Sequence, residues 1–421
     1  MRCPVCESSE WINVDEHRVK PEGMCMCKAC GFVSYPSKYK SEDEIKEYYR
    51  KEYRGAPQVA SLYTGERKLH YHHYFLSPLF EEWKKVGLDN PVIGEIGSAF
   101  GMFLDWIRGQ VPGAEINGTE LTTSMRKVAK YEYNLNLTEE FDYTKKYDLI
   151  VSYHVLEHQL DPDLNLKKYR DCLSDNGLLY LAAPVWFRDL DNSANGGFEI
   201  EEYWHPNHIN SWGEDHLEWI IKKSGLSIVM KDSAIYGNTY LLKKTDNVIG
   251  EMPMFSPVKC LDYMKRAYKC WEHIKQNETA LAIESMPNCP TAWVHHYEFN
   301  RAMFDKNKDA REGFMKQAEA ACPTSGNIFV LLGDLRSRYE QFDSALAYFG
   351  KGLKYKPNNP TIIMGMSNCY RLMALKEKNP IRKAELIKAS MDALQFIRKS
   401  SMEFRDKAIS WLFHDATLLD L

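Results

Sequence analysis

Two hydrophobic periods divide this chain. Through roughly the first 245 residues, short apolar runs of strand length alternate with amphipathic stretches. Trp11 to Val14 alternates as a strand does, and Gly31 to Tyr35 reads likewise. Ser41 with Glu44 three residues on is a helix-capping pair before Ile45, Tyr48 and Tyr49. The stretch from 61 to 86 has a helical period. An apolar stretch at Pro91 to Ile93 leads to Glu95 and Ile96, and an amphipathic helix follows from Met102. Ala114 to Thr119 and Tyr147 to Tyr153 read as further strands. A helix over 164–173, a turn at Ser174 to Gly177 and a strand from Leu178 to Ala183 come next. Glu214 to Ser224 is helical, and Ser227 to Met230 and Asn238 to Leu242 supply the last strands. Such alternation predicts a mostly parallel sheet with helices on both faces. Beyond Asp246 the period is helical only. Three parts follow: 1–57, a cysteine-bearing segment with a linker helix; 58–246, the α/β part; and 247–421, a helical part.

Composition narrows the partners. With 421 residues, a net charge of −4 and a pI near 6.4, the chain is not a general polyanion binder, which disfavours nucleic acid. No apolar run reaches the length that crosses a bilayer, so no membrane partner is expected. Eleven cysteines and no apolar signal region near Met1 predict a reducing, cytoplasmic setting.

The first four cysteines of interest are paired. Cys3-x-x-Cys6 and Cys27-x-x-Cys30 are two knuckles about twenty residues apart. Each turns two thiolates toward one ion, and together they make the four-sulfur shell that zinc prefers. A register using Cys25 in place of Cys27 is the alternative, and a redox pair is a further one. The run His70, Tyr71, His72, His73 and Tyr74 is scattered by helical spacing around a surface and predicts no single metal site.

Glu95-Ile96-Gly97-Ser98-Ala99-Phe100-Gly101 carries the main chemical signal. Gly97 and Gly101 allow a sharp turn and close approach of a ligand to the backbone. The helix start beyond them offers unpaired N–H groups. About twenty residues on, the second strand ends at Glu120, whose carboxylate can accept both ribose hydroxyls of a nucleoside. The strand Tyr147 to Tyr153, fourth in the pattern, runs into His154-Val155-Leu156-Glu157-His158. These blocks, in this order from Val92 to Val185, resemble class I S-adenosylmethionine-dependent methyltransferases. The chain departs from that pattern at Ala99, where many members have glycine, and at Asn176-Gly177, which replaces a double glycine. The resemblance implies a Rossmann-like, seven-stranded sheet and S-adenosylmethionine as cofactor. It implies Glu95 and Gly97 at the methionine end, Ser98 and Gly101 among the cofactor-binding residues, Glu120 on the ribose, Leu121 against adenine, and His154 at the mouth.

The paired cysteines, Tyr35-Pro36 and the Ser41 to Tyr53 segment ahead of such a core resemble a zinc-ribbon group of methyltransferases, several of which act on sugars. That likeness implies a small-molecule or glycan acceptor and a ribbon that helps to bind it. The loop from 192 to 197 reads as an active-site loop, and Tyr203, His205 and His208 follow it. His208-Ile209-Asn210-Ser211-Trp212 partly fits the group's pattern, which makes His208 the first base candidate, with His154, His205 and Tyr203 beside it. Asn207 stands where the sugar C-methyltransferases have glutamate, which puts C-methylation in doubt. Glu157 and His158 are expected to brace the loop. A decayed cofactor domain serving as a scaffold, and a dinucleotide-dependent reductase, are the rival readings. The intact Glu95, Gly97, Gly101 and Glu120 oppose the first, and the His154 to His158 segment opposes the second.

Phe329, Leu332, Gly333, Ala345, Phe349, Gly352 and Pro357 fall at the spacing of a tetratricopeptide repeat, and Pro323 precedes Pro357 by one 34-residue period. This resembles a tetratricopeptide α-solenoid with one good unit and degenerate neighbours. It implies a protein partner or self-association; a helical layer with no partner is the alternative.

Overall fold

The structure is a computed structural model that describes residues 2–14, 23–35, 41–51, 79–80, 82–186, 208–234, 237–246, 252, 256–355 and 359–400. In the first part the strands are β1 (Trp11–Asn13), β2 (Cys25–Cys27) and β3 (Val33–Ser34), followed by α1 (Glu42–Lys51). Ser41 caps α1 as its sequence predicts: its Oγ accepts the Glu44 N–H at 3.2 Å.

The α/β layer holds β4 (Val92–Ile96), α2 (Met102–Gln110), β5 (Glu115–Thr119), α3 (Thr123–Tyr133), β6 (Tyr147–Tyr153), α4 (Pro162–Cys172), β7 (Leu173–Ala183), β8 (Val185–Trp186), β9 (Asn210–Gly213), α5 (Glu214–Lys223), β10 (Leu226–Ala234) and β11 (Gly237–Lys244). Its main sheet runs β10-β11-β7-β6-β4-β5. Strands β5, β4, β6 and β7 are parallel, and β11 and β10 close the edge antiparallel. Among the described residues the sheet has six strands rather than the expected seven. Where a strand beyond β5 would lie, one bridge forms, Thr119 to Thr138. Glu139 just after it is held by Arg126 and Arg50, and Glu140 by Lys46. These ion pairs tie the segment to α3 and α1 rather than to a ladder.

Period-2 alternation buries both faces of the sheet. Ile150 and Leu179 enter one core with Tyr169, Trp212, Leu217 and Ile220. Leu149, Val151 and Tyr180 enter the other with Phe103, Leu104, Ile107 and Trp83. The predicted turn at Ser174 to Gly177 is absorbed into β7 as a register shift, since Tyr147 pairs with Leu173 and Leu149 with Leu178. A Cβ on Gly177 would stand 2.5 Å from the Tyr147 carbonyl oxygen, so only glycine fits this bulge.

The cysteine-bearing segment is not a free-standing module. Its strands join the α/β layer in a second sheet, β1-β2-β3-β9-β8. Val33 pairs with Ser211 and Ser34 with Asn210. Trp212 packs on Phe32 with ring centroids 5.1 Å apart. His216 of α5 is buried, and its Nε2 lies 2.8 Å from the Cys30 carbonyl oxygen. Burial lowers that imidazole to about 4, so the ring is neutral and its Nε2 donates the proton to the carbonyl. The Trp219 indole donates to the Val5 carbonyl oxygen at 3.3 Å.

The remaining helices are α6 (Pro257–Lys275), α7 (Thr279–Ser285), α8 (Pro290–Phe299), α9 (Arg301–Lys306), α10 (Lys308–Ala321), α11 (Gly326–Arg338), α12 (Phe342–Tyr355), α13 (Pro360–Lys376) and α14 (Pro380–Ser400). The chain divides into two compact units at Tyr268/Lys269, inside α6. In the second unit, Asn307, Ser325 and Asn359 cap α10, α11 and α13 through their side chains. Phe349 fills the space above two glycines: a Cβ would come within 2.5 Å of its ring at Gly333 and 2.4 Å at Gly365. Small residues thus set the closest approach of α11, α12 and α13.

Candidate active site

The site is built where β4, β5 and β6 end side by side. Glu95 pairs across to Gly118 on one flank and Val151 on the other. The turn after β4 is held by the Ser98 N–H donating to the Thr119 carbonyl at 2.7 Å, and the Gly101 N–H to the Ser98 carbonyl at 2.7 Å. Gly97, Ala99 and Gly101 all take positive φ, at 72°, 49° and 76°. At Gly97 the need is also steric, because a Cβ would meet Val155 Cγ2 at 2.7 Å. Ala99 carries its methyl group in the same left-handed region, at a modest conformational cost.

Two carboxyls face this turn in different states. Glu120, at the end of β5, accepts the Ala99 N–H at 3.0 Å and the Thr122 N–H at 2.8 Å. It therefore ties the glycine turn to the next helix, and a carboxylate so engaged keeps lone pairs for further donors. Glu95 is 2% exposed, and its Oε2 has no hydrogen-bond partner among the described residues. Burial raises it to about 8, against a pull from Ser98 and with a smaller push from Glu120. A buried carboxyl left with a bare oxygen is a binding position for a cationic or N–H-bearing group. Leu121 stands partly exposed beside Glu120.

At the end of β6 lies a group of imidazoles. His154 adopts φ 54°, and its N–H donates to the Ala182 carbonyl at 2.9 Å. Its Nδ1 stands 3.4 Å from Glu157 Oε1, and His158 Nε2 stands 3.8 Å from the same oxygen. Glu157 is fully buried in a 3-10 turn, Leu156–His158. Burial alone would raise its carboxyl, but His154, His158 and His208 more than offset that and hold it near 2. The His208 ring meets that of His158 edge-on at 4.9 Å, and the Tyr49 ring meets His158 at 5.5 Å. Asn210 fixes this arrangement: its Nδ2 donates to the Gln159 carbonyl at 2.6 Å. Of the candidate catalytic residues, His154 and His208 are brought together here, while Tyr203 and His205, the 192–197 loop and the 70–74 run lie outside the described residues. Sequence reasoning gave Glu157 and His158 a bracing role only. The His-x-x-Glu-His spacing was the signal for their part in the cluster, and Tyr49 and Asn210 carried no signal of their own.

The four thiols form a second cluster. Ligand atoms of Cys3, Cys6, Cys27 and Cys30 all lie within 4.8 Å of one another. Cys3 Sγ is 3.6 Å from Cys30 Sγ, and Cys6 Sγ is 3.4 Å from Cys27 Sγ. The two knuckles are built alike. Glu7 and Gly31, each four residues beyond the first cysteine of its knuckle, have φ 64° and 73° and donate back to the Cys3 and Cys27 carbonyls. Cys25 lies outside the cluster, with its thiol toward the Gly23 carbonyl at 3.9 Å.

Residues 70–231 match a family described as "Methyltransferase domain". That span holds the glycine turn, Glu95, Glu120 and the imidazole group, so the match to a methyltransferase domain falls on the α/β layer. Among solved structures, the chain is similar to the plantazolicin methyltransferase BpumL in complex with SAH, at 14% identity and TM-score 0.37, over 48% of this chain and 94% of that one. It is also similar to a S-adenosylmethionine-dependent methyltransferase from Clostridium acetobutylicum, at 12% identity and TM-score 0.35, over 45% and 98%. The mitomycin 7-O-methyltransferase MmcR shares 13% identity at TM-score 0.37, over 50% and 62%. Scores this low carry no functional weight. No curated protein matches the chain.

Proposed function

We propose that this chain transfers a methyl group from S-adenosylmethionine to a sugar, glycan or related small acceptor. The bare, buried Oε2 of Glu95 beneath the glycine turn carries the cofactor assignment. Glu95 and Gly97 would hold the methionine end, Ser98 and Gly101 would shape the turn, Glu120 would take the ribose hydroxyls, and Leu121 would lie against adenine. The cofactor supplies a methyl group already activated on a sulfonium. What remains for the protein is to position the acceptor, keep water out and remove a proton. His208 and His154 are the bases for that step, with Tyr203 and His205 next along the chain.

Zinc is the ion for the four thiols. Tetrahedral bonds of about 2.3 Å place sulfurs about 3.8 Å apart, close to the separations of Cys3 from Cys30 and of Cys6 from Cys27. The fold gives the ion a structural task, since β3 and the Cys30 carbonyl support β9 and α5. Tetratricopeptide-like packing is the reading for α11 to α13, supported by Gly333 against Phe349 and by Gly352, whose Cβ would touch Phe329 and Ile362. Such helices would recruit a protein partner or a second copy. A cytoplasmic setting agrees with the free state of all eleven cysteines, and no helix among the described residues is long and apolar enough to cross a membrane.

The test is a thermal shift with S-adenosylhomocysteine and, separately, NAD. Stabilisation by the first alone is expected. Stabilisation by NAD alone would replace the methyltransferase reading with a reductase.

A further inference from the structure

The imidazole group at the end of β6 has an unusual centre. The Glu157 side chain is completely buried, yet neither of its oxygens accepts a hydrogen bond of normal geometry among the described residues. A buried carboxylate whose neighbours stop short of normal hydrogen-bond contact is costly, and it is found where a cation completes it. The nearest nitrogens, on His154 and His158, stop at 3.4 and 3.8 Å. Charge-assisted hydrogen bonds close to about 2.7–2.9 Å, so protons alone have not drawn these groups together. Donor atoms bound at about 2.1 Å to one tetrahedral ion stand about 3.4 Å apart. His158 Nε2, at 3.8 Å from Glu157 Oε1, is nearer the second figure.

We propose that Glu157, His158 and His208 bind one divalent transition cation, separate from the ion of the four thiols. One ligand atom from each of the three lies within 4.8 Å of the other two. Two imidazoles and one carboxylate suit zinc, cobalt or iron and not magnesium or calcium, which require oxygen ligands. Three protein ligands leave coordination for water or an acceptor oxygen. The surroundings hold the donors in place. Asn210 fixes the carbonyl of Gln159, the Tyr49 ring packs edge-on against His158, and His154 Nδ1 lies beside the shared Glu157 oxygen. Val155, in the same turn, abuts Gly97, so the ion lies beside the cofactor turn. With the ion bound, His208 is a ligand, and proton removal falls to His154.

Equilibrium dialysis of the full chain against cobalt(II), with the bound metal counted by mass spectrometry, tests the site. About two ions per chain are expected, one of them giving the thiolate charge-transfer absorption of a sulfur site. Glu157→Gln, and separately His158→Ala with His208→Ala, should lower the count to about one and leave that absorption unchanged. A wild-type count of about one, or a count of about two that survives in both variants, overturns the proposal. Each variant is checked for S-adenosylhomocysteine binding. If neither retains it, cobalt anomalous scattering from wild-type crystals decides: a peak among the three side chains supports the site, and its absence overturns it. The metal count does not depend on methyl transfer, so this proposal can fail while the transferase reading stands.

Discussion

Glu95→Gln should strengthen the ligand-free protein and weaken its hold on the cofactor. The Glu95 carboxyl is held near 8, against an ordinary 4.5, by burial with no donor on Oε2. A group whose folded value is raised adds stability that is whole below its unfolded value and is lost as pH rises toward the folded one. The window is therefore about pH 4.5 to 8. At about 1.4 kcal/mol per pH unit, the loss accumulated by pH 7 is about 3 kcal/mol. Glutamine does not titrate, so the variant should lack this slope. The assay is thermal unfolding of ligand-free protein from pH 5 to 9, with and without the substitution. Other carboxyls and histidines contribute their own slopes, and the difference between the two proteins isolates Glu95. The wild-type melting temperature should fall relative to the variant across the window. S-adenosylhomocysteine brings an amino group that favours the ionised carboxylate, so its affinity for the wild type should rise over the same window and that of the variant should stay flat. Parallel melting curves would refute the account of Glu95 as a buried carboxyl waiting for a partner.

Glu120→Ala should weaken S-adenosylhomocysteine by about 1.5–3 kcal/mol, since it removes a charged acceptor; equal affinities in calorimetry would exclude Glu120 from the ribose. Cys3→Ser with Cys30→Ser should lower the zinc content by about one ion per chain, and an undiminished content would remove the four-thiol assignment. Gly333→Ala places a Cβ 2.5 Å from the Phe349 ring. Overpacking of this kind costs about 1–3 kcal/mol, so the helical unit should melt earlier, and an unchanged melt would mean that α11 and α12 approach less closely.

What was legible in the chain was what local physics decides. The strand-turn-helix at Glu95 to Met102, the Ser41 cap and the paired knuckles each depend on residues near one another in sequence. Contacts made only by the assembled fold escaped. Gly31 to Tyr35 read as a strand, and β3 forms there beside β2, but nothing local told of its pairing with Ser211 and Asn210, 178 and 176 residues beyond Val33 and Ser34. Among the described residues, only one bridge, at Thr138, forms where the expected seventh strand would extend the sheet beyond β5. Glu157 looked like a brace because its significance comes from His208, about fifty residues on. Asn210 read as part of a motif, and only its hydrogen bond to Gln159 shows that it places the turn.

These distant contacts give the cysteine-bearing segment a role that its composition does not suggest. The residues that follow His208 pair directly with β3, two residues after Gly31 closes the second knuckle. The Ser34 hydroxyl donates to the Ile209 carbonyl at 2.7 Å, and the Tyr35 N–H to the same carbonyl at 2.9 Å. Asn210, next in line, holds the turn that carries Glu157 and His158. On the opposite side, α1 brings Tyr49 onto His158, and the Tyr49 carbonyl accepts the Thr122 hydroxyl at 3.2 Å, next to the glycine turn. The strands among these segments, β3 and β9, are too short to be stable alone and depend on each other. An ion held by the four thiols would fix both ends of the cysteine-bearing segment, and with them the position of His208. The ribbon thus belongs to the architecture of the site, and loss of its ion should loosen the imidazole group before it disturbs the sheet that holds Glu95 and Glu120.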